Sequence, residues 1–214
     1  MTYLLALLLC ASTAVAELKP LRIQFVRVVD GATMSRAETL RVTKKVREAY
    51  LKLRLVFTFS GLRQVRVGFG PGLVADRLNY ARRVERRVRG RTRGYRTHVF
   101  VPMSTDGYSW GYAFGPVSVG TATSYNLRGE PRFWHTVTTA AHEIGHLLGA
   151  DHDDREPNLM HSNALAFVNN NVPRFPWWMR DIVLSNGFGV DMCDYTFVPC
   201  LIERPTIECQ SKSQ

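Results

Sequence analysis

His142-Glu143-Ile144-Gly145-His146-Leu147-Leu148-Gly149-Ala150-Asp151-His152 decides how the rest of the chain is read. On a helix, residues four apart sit about 40° apart around the axis and one turn above each other. His142 and His146 therefore present two imidazoles to a single ion, with Glu143 beside them. Gly149 supplies the left-handed conformation that ends a helix, and the chain then turns back so that His152 completes a set of three. Three neutral nitrogens suit one Zn2+ ion and leave a fourth position open for water, which marks a catalytic rather than a structural site. Zinc lowers the pKa of a bound water to about 7. Glu143 is then the expected general base, taking the proton as that water attacks a carbonyl and passing it to the leaving amine.

Outward from this segment, the chain alternates strand and helix signals. Leu21, Ile23 and Phe25 alternate with polar residues, and β-branched residues continue to Val29, predicting a first strand. Ser35-x-x-Glu38 forms a capping box ahead of a helix to about residue 54, with Ala37, Leu40, Val46, Ala49, Tyr50 and Leu53 on its apolar face. A strand is expected at 55–59 or at 64–69, followed by strands at 97–102, 111–114 and 117–122. Between them Leu78, Ala81, Val84 and Val88 predict a short helix with Arg-rich outer faces. Strands mixed with helices give an α/β (α+β) sheet domain.

The 214 residues are 45% hydrophobic and 21% charged, which excludes a mostly disordered chain and suits one domain. The apolar run Tyr3–Cys10 followed by Ala14-Val15-Ala16 has the pattern of a secretory signal peptide over residues 1–16 and is too short to span a bilayer. Residues 17–214 are then expected to form a single domain with no pro-domain; the family resemblance given below implies that it is catalytic, with an upper part about 17–149 and a lower part about 150–214. The expected product is secreted, and by the same resemblance it is active from the outset or restrained by a separate inhibitor. Cys193, Cys200 and Cys209 remain after cleavage, so one disulfide among them is expected, in any of three pairings.

The formal charge is +10, and residues 36–96 hold 18 of the 28 Lys and Arg against four acids. That stretch is either a solvated basic face or a site for an acidic polymer or an anionic surface. No specific nucleic-acid module accompanies it. His98, His135 and His161 have no assigned role, and nothing in the sequence speaks to calcium.

The 142–152 segment resembles the signature of the metzincin clan of zinc endopeptidases. Pro157-Asn158-Leu159-Met160, ending eight residues past His152, is similar to the turn that places that clan's methionine beneath the zinc. The resemblance is carried by residues 134–160 and, through element order, by 21–190. It implies a twisted, mostly parallel sheet with one antiparallel edge strand, an active-site helix and a small C-terminal subdomain after Gly149. It implies hydrolysis of protein or peptide substrates, with Gly149, Asp153 and Met160 supporting the site. Asp153 after the third histidine is similar to the adamalysin (reprolysin) pattern, whereas the eight-residue step to Met160 is similar to the matrixins. By the same resemblance, Tyr112, Ala113 and Phe114 lie on the edge strand that binds an extended peptide. Phe175, Trp177 and Trp178 line the pocket for the residue after the cut, or else pack the last helix. Two other classes stay open: a catalytically silent, zinc-stabilised protein holding an acidic partner, and a hydrolase of a non-peptide amide.

Overall fold

The computed structural model describes residues 21–55, 57–69, 76–90, 94–102, 108–125, 131–169 and 171–188. The expected signal segment and all three tail cysteines lie outside them. Five strands, β1 (Leu21–Val28), β2 (Phe57–Val65), β3 (Arg96–Val101), β4 (Gly111–Phe114) and β5 (Val117–Thr121), form one sheet in the order β2-β1-β3-β5-β4. All neighbours are parallel except β4, which runs antiparallel to β5 at the edge. This is the mostly parallel sheet with one antiparallel edge strand that the family resemblance implies.

Strand order dictates which helix covers which face. The crossover from β1 to β2 through α1 (Arg36–Leu51) moves one way across the sheet, and that from β2 to β3 through α2 (Arg77–Arg89) moves back past β1. Right-handed crossovers in opposite directions place their helices on opposite faces. Accordingly, one core joins α1 residues Val42, Val46 and Tyr50 to Ile23, Phe25 and Phe100, and also takes in Ile144 of α3 (Phe133–Leu147). The other joins Tyr80, Ala81, Val84 and Val88 of α2 to Val26, Val99, Val117 and Val119. Beyond α3 come a 3-10 turn (Ala164–Phe167) and the short helix α4 (Met179–Ser185). Among the described residues no helix is long and apolar enough to cross a membrane.

Three sequence expectations are corrected. The second strand is neither 55–59 nor 64–69 but Phe57–Val65. Its partner β1 advances two residues, Ile23 to Phe25, while β2 advances three, Phe59 to Leu62. Ser60 and Gly61 thus sit in a bulge that breaks the apolar alternation. On α1 the capping box forms, Glu38 N–H to Ser35 Oγ at 3.1 Å and Ser35 N–H to Glu38 Oε2 at 2.9 Å. The buried face, however, carries Thr39 and Thr43 while Ala37 and Leu40 face solvent. Both threonine hydroxyls donate to carbonyls one turn back, Ser35 O and Leu40 O at 2.8 Å, so the polar atoms enter the core already satisfied. On α2, Leu78 is exposed and its place on the buried face is taken by Tyr80 and Glu85.

Candidate metal centre

Helix α3 carries His142, Glu143 and His146, and its end is built to bring His152 back. Gly149 has φ +90°, its N–H donates to His146 O (3.0 Å), and the N–H of Ala150 donates to Gly145 O (3.1 Å). These two bonds define a Schellman cap, which stops the helix and reverses the chain. A side chain at Gly149 is doubly disfavoured, since an added Cβ would also overlap the Asn186 amide, which donates to Leu148 O at 3.2 Å.

Two backbone carbonyls fix the rings. His142 Nδ1 lies 2.7 Å from Leu159 O, and His146 Nδ1 lies 2.7 Å from Ala150 O. A carbonyl only accepts, so each Nδ1 carries the proton and each Nε2 presents a lone pair. Those two lone pairs converge at 3.0 Å, and His152 Nε2 lies 3.3 Å from His142 Nε2. Two acceptors at such a distance repel unless a cation lies between them. Tetrahedral zinc, with Zn–N near 2.0–2.1 Å, sets its ligand nitrogens about 3.3 Å apart. Among the described residues this is the only group of three or more His, Cys, Asp or Glu side chains with donor atoms that close together. Burial, first of all, holds His142 down to about 4 and lowers His146 as well, so both are neutral and able to bind metal at pH 7. The donor set fits a single Zn2+.

Glu143 is 6% exposed. Burial alone pushes its carboxyl up to about 8, and a dication among the neighbouring histidines opposes that push. A Cβ on Gly111 would overlap the Glu143 carboxyl, so glycine is what lets the edge strand β4 run against this acid. The resulting cleft is lined by Gly111, Tyr112 and Ala113 on one side and by Glu143, His146 and His152 on the other.

Beneath the histidines, Met160 is fully buried and packs so closely on α3 that a Cβ on Gly145 would overlap its Sδ. Its turn is tied to the third-histidine segment. The Asp153 N–H donates to Met160 O at 3.0 Å; Asn158 donates to Asp153 O and accepts from the Met160 N–H. The Asp153 carboxylate accepts from Arg155 Nε (2.7 Å) and from the Trp178 indole N–H (2.7 Å), which hold it far below the usual carboxylate range.

Of the remaining expected contacts, Phe114 stands apart from the cleft, and Phe175 and Trp178 pack on the core that contains Met179 and Val183 of α4, the second of the two readings of that stretch. Phe114 stacks on Tyr112 (6.1 Å between centroids) toward the α2 core and lies outside the cleft lining. Phe175 packs on Tyr50 at 4.8 Å, Trp177 is 78% exposed, and Trp178 is committed to Asp153. Just before Phe175, the Leu159 N–H donates to Arg174 O at 2.7 Å and ties this segment to the Met160 turn. His98 is buried with Nδ1 2.8 Å from Ser118 Oγ, and His161 Nδ1 accepts from the Asn163 N–H at 3.0 Å. Neither these two nor His135 joins a metal-binding group.

Gly111, Gly145, Asn158, Asn186 and the carbonyls of Ala150 and Leu159 escape sequence inspection. Gly145 alone leaves a signal there, because a glycine inside an apolar helix points to close packing.

Comparison with known proteins bears on this geometry. The profile of metallo-peptidase family M12, a reprolysin profile, matches residues 63–170, from the end of β2 through the Met160 turn. That agrees with the adamalysin side of the Asp153 signal. No curated protein matches the sequence. Similar solved folds include metalloproteinase-II of Bacteroides fragilis (TM-score 0.58, 17% identity, 83% of this chain and 55% of that one). Another is the archaemetzincin of Methanopyrus kandleri (TM-score 0.52, 18% identity, 78% and 95%). The chain thus spans about half the length of the Bacteroides protein. With half of its residues inside the family profile, this chain belongs to metallo-peptidase family M12.

Proposed function

We propose that the chain is a secreted zinc-dependent endopeptidase whose ligands are His142, His146 and His152 in the arrangement HExxHxxGxxH. The observation that carries it is the convergence of Nε2 lone pairs beside a buried carboxyl and an edge strand. Zinc in that position supplies Lewis acidity, acidifying water and stabilising negative charge on a carbonyl oxygen.

The chain's own residues do the rest. Glu143 is the general base, accepting the proton of the attacking water and delivering it to the leaving amine, and its low exposure keeps the proton from bulk solvent. Among the described residues β4 pairs only with β5, which leaves its outer edge for an extended peptide to join by main-chain hydrogen bonds. Gly111, Tyr112 and Ala113 then lie along the peptide, close to Glu143. Gly149 shapes the return to His152, while Asp153 and Met160 hold the floor under the histidines. Secretion rests on the Tyr3–Ala16 pattern. An acidic polymer as partner is supported by exposed Arg82, Arg83, Arg86 and Arg87 on α2, a helix on the opposite sheet face from α3.

Cleavage of a diverse peptide library, read by mass spectrometry, tests this. Wild type should cut in a chelator-sensitive way, and folded Glu143→Ala should not. A zinc-loaded, folded wild type that cuts nothing would refute the peptidase and favour the silent binding protein.

A further inference from the structure

A second concavity, separate from the zinc cleft, has a volume of about 560 Å3 and lies between the C-terminal end of α1 and the 171–180 segment. Its floor is apolar, made by Ala49, Leu53, Val172 and Phe175 with Pro173 and Pro176. Four cations, Lys52, Arg54, Arg174 and Arg180, together with Asn171 and Trp177, complete the lining, which contains no acid. Lys52, Arg54 and Arg174 are exposed, as is Trp177.

Arg54 is the one non-glycine residue with positive φ (54°) among those described. It stands just after α1, where glycine or asparagine is the usual occupant because a Cβ there is disfavoured. A cation therefore occupies a conformationally costly position at the rim of this groove. Low-dielectric walls lined by one sign of charge focus the field on an incoming anion. The apolar floor then selects among anions. An acidic sugar polymer offers no aliphatic or aromatic group to fill it, whereas a peptide that combines carboxylates with an apolar residue satisfies rim and floor together. Trp and Arg are also the side chains that most often dominate binding energy at interfaces.

The groove is built into the supports of the metal centre. Arg174 O holds Leu159, whose own carbonyl holds His142. On the floor, Phe175 packs on Tyr50, and the Tyr50 hydroxyl donates to Ala141 O at 2.7 Å, next to His142.

We infer that this groove is a binding site for an acidic peptide segment bearing an apolar residue, with carboxylates on Lys52, Arg54 and Arg174 and the apolar side chain against Phe175 and Trp177. As an exosite for acidic protein substrates it presupposes the peptidase activity proposed above; as a binding site it does not.

Fluorescence anisotropy with the full zinc-loaded chain carrying Glu143→Ala separates the two, because binding is read without cleavage. The probe is a labelled peptide of glutamates flanking one phenylalanine. Lys52→Glu with Arg174→Glu should weaken binding about tenfold, as expected for reversing two exposed charge pairs. Arg54→Gly should weaken it severalfold while raising Tm, an opposition that damage to the fold would not produce. Arg82→Glu with Arg86→Glu, on α2, should change affinity less than about twofold. The inference is overturned if the α2 reversal costs as much as the groove reversal, or if the groove variants bind as wild type does. It is equally overturned if an all-glutamate peptide or an acidic polysaccharide competes as well as the probe.

Discussion

Replacing Gly149 by alanine tests the claim that the helix cap, and not the histidine spacing alone, assembles the metal centre. Three contributions set the magnitude. An L-residue in the left-handed region costs roughly 1–2 kcal/mol. The new Cβ displaces the Asn186 amide from Leu148 O, a hydrogen bond of 3.2 Å whose loss costs about 0.5–1.5 kcal/mol. Against these, the stiffer unfolded chain returns about 0.4–1 kcal/mol. The net expectation is a loss of about 2 kcal/mol, or about 4–8 °C in Tm for a chain of this size.

A double-mutant cycle divides that loss. In an Asn186→Ala background the steric part disappears, so Gly149→Ala should cost only about 1 kcal/mol, leaving a coupling of similar size. Thermal unfolding followed by circular dichroism, with zinc and with chelator, gives both quantities. Because Ala150 O orients His146, distorting the cap should also shrink the rise in Tm that zinc confers, zinc being a ligand of the folded state. A loss below about 0.5 kcal/mol, or additivity within about 0.3 kcal/mol, would refute the cap argument.

Other perturbations reach different parts of the site. Glu143→Gln keeps shape and zinc stoichiometry but removes the base, and should lower kcat by about 10²–10⁴ in a peptide-cleavage assay. Tyr50→Phe deletes the buried hydroxyl that donates to Ala141 O; urea denaturation should show a loss of about 1 kcal/mol. Hydrogen bonds from Ser35, through side chain and backbone, and then from Ser124 lower the Glu38 carboxyl from 4.5. A depressed folded-state value gives stability that is present above the unfolded pKa and lost as pH falls through the folded one. The Tm advantage of wild type over Glu38→Gln should therefore be full at about pH 6 and vanish well below pH 4.

The sequence is legible where function or folding is local. The capping box at Ser35 and Glu38, the strands around Ile23 and Val99, and the histidine spacing depend on neighbours within a few residues, so each appears as a pattern. Fidelity fails where a distant partner decides. The β2 bulge at Ser60 and Gly61 is defined only by its register against β1. Thr39 and Thr43 enter the core because hydroxyl bonds satisfy them, which a hydrophobicity pattern scores as polar. For Phe175, Trp177 and Trp178 the family resemblance leaves pocket wall and helix packing both open, and only the fold shows Phe175 on Tyr50 and Trp178 on Asp153, next to the Leu159–Arg174 backbone bond.

That same bond shows why the motif needs more chain than it occupies. Spacing alone brings His142 and His146 to one helix face, yet either nitrogen of an imidazole can bear its proton, and only one tautomer offers Nε2 to a metal. For His146 the choice is made locally by Ala150 O, itself placed by the Gly149 cap. For His142 it is made by Leu159 O, seventeen residues away, in the turn that ends at Met160. Leu159 is fixed in turn by Arg174 O, and the turn is bound to Asp153 through Asn158. The C-terminal segment thus acts on the metal centre without contributing a ligand: it selects the tautomer of the first histidine. A substitution that dislodged Leu159 would leave every residue of the histidine motif in place and still weaken zinc binding.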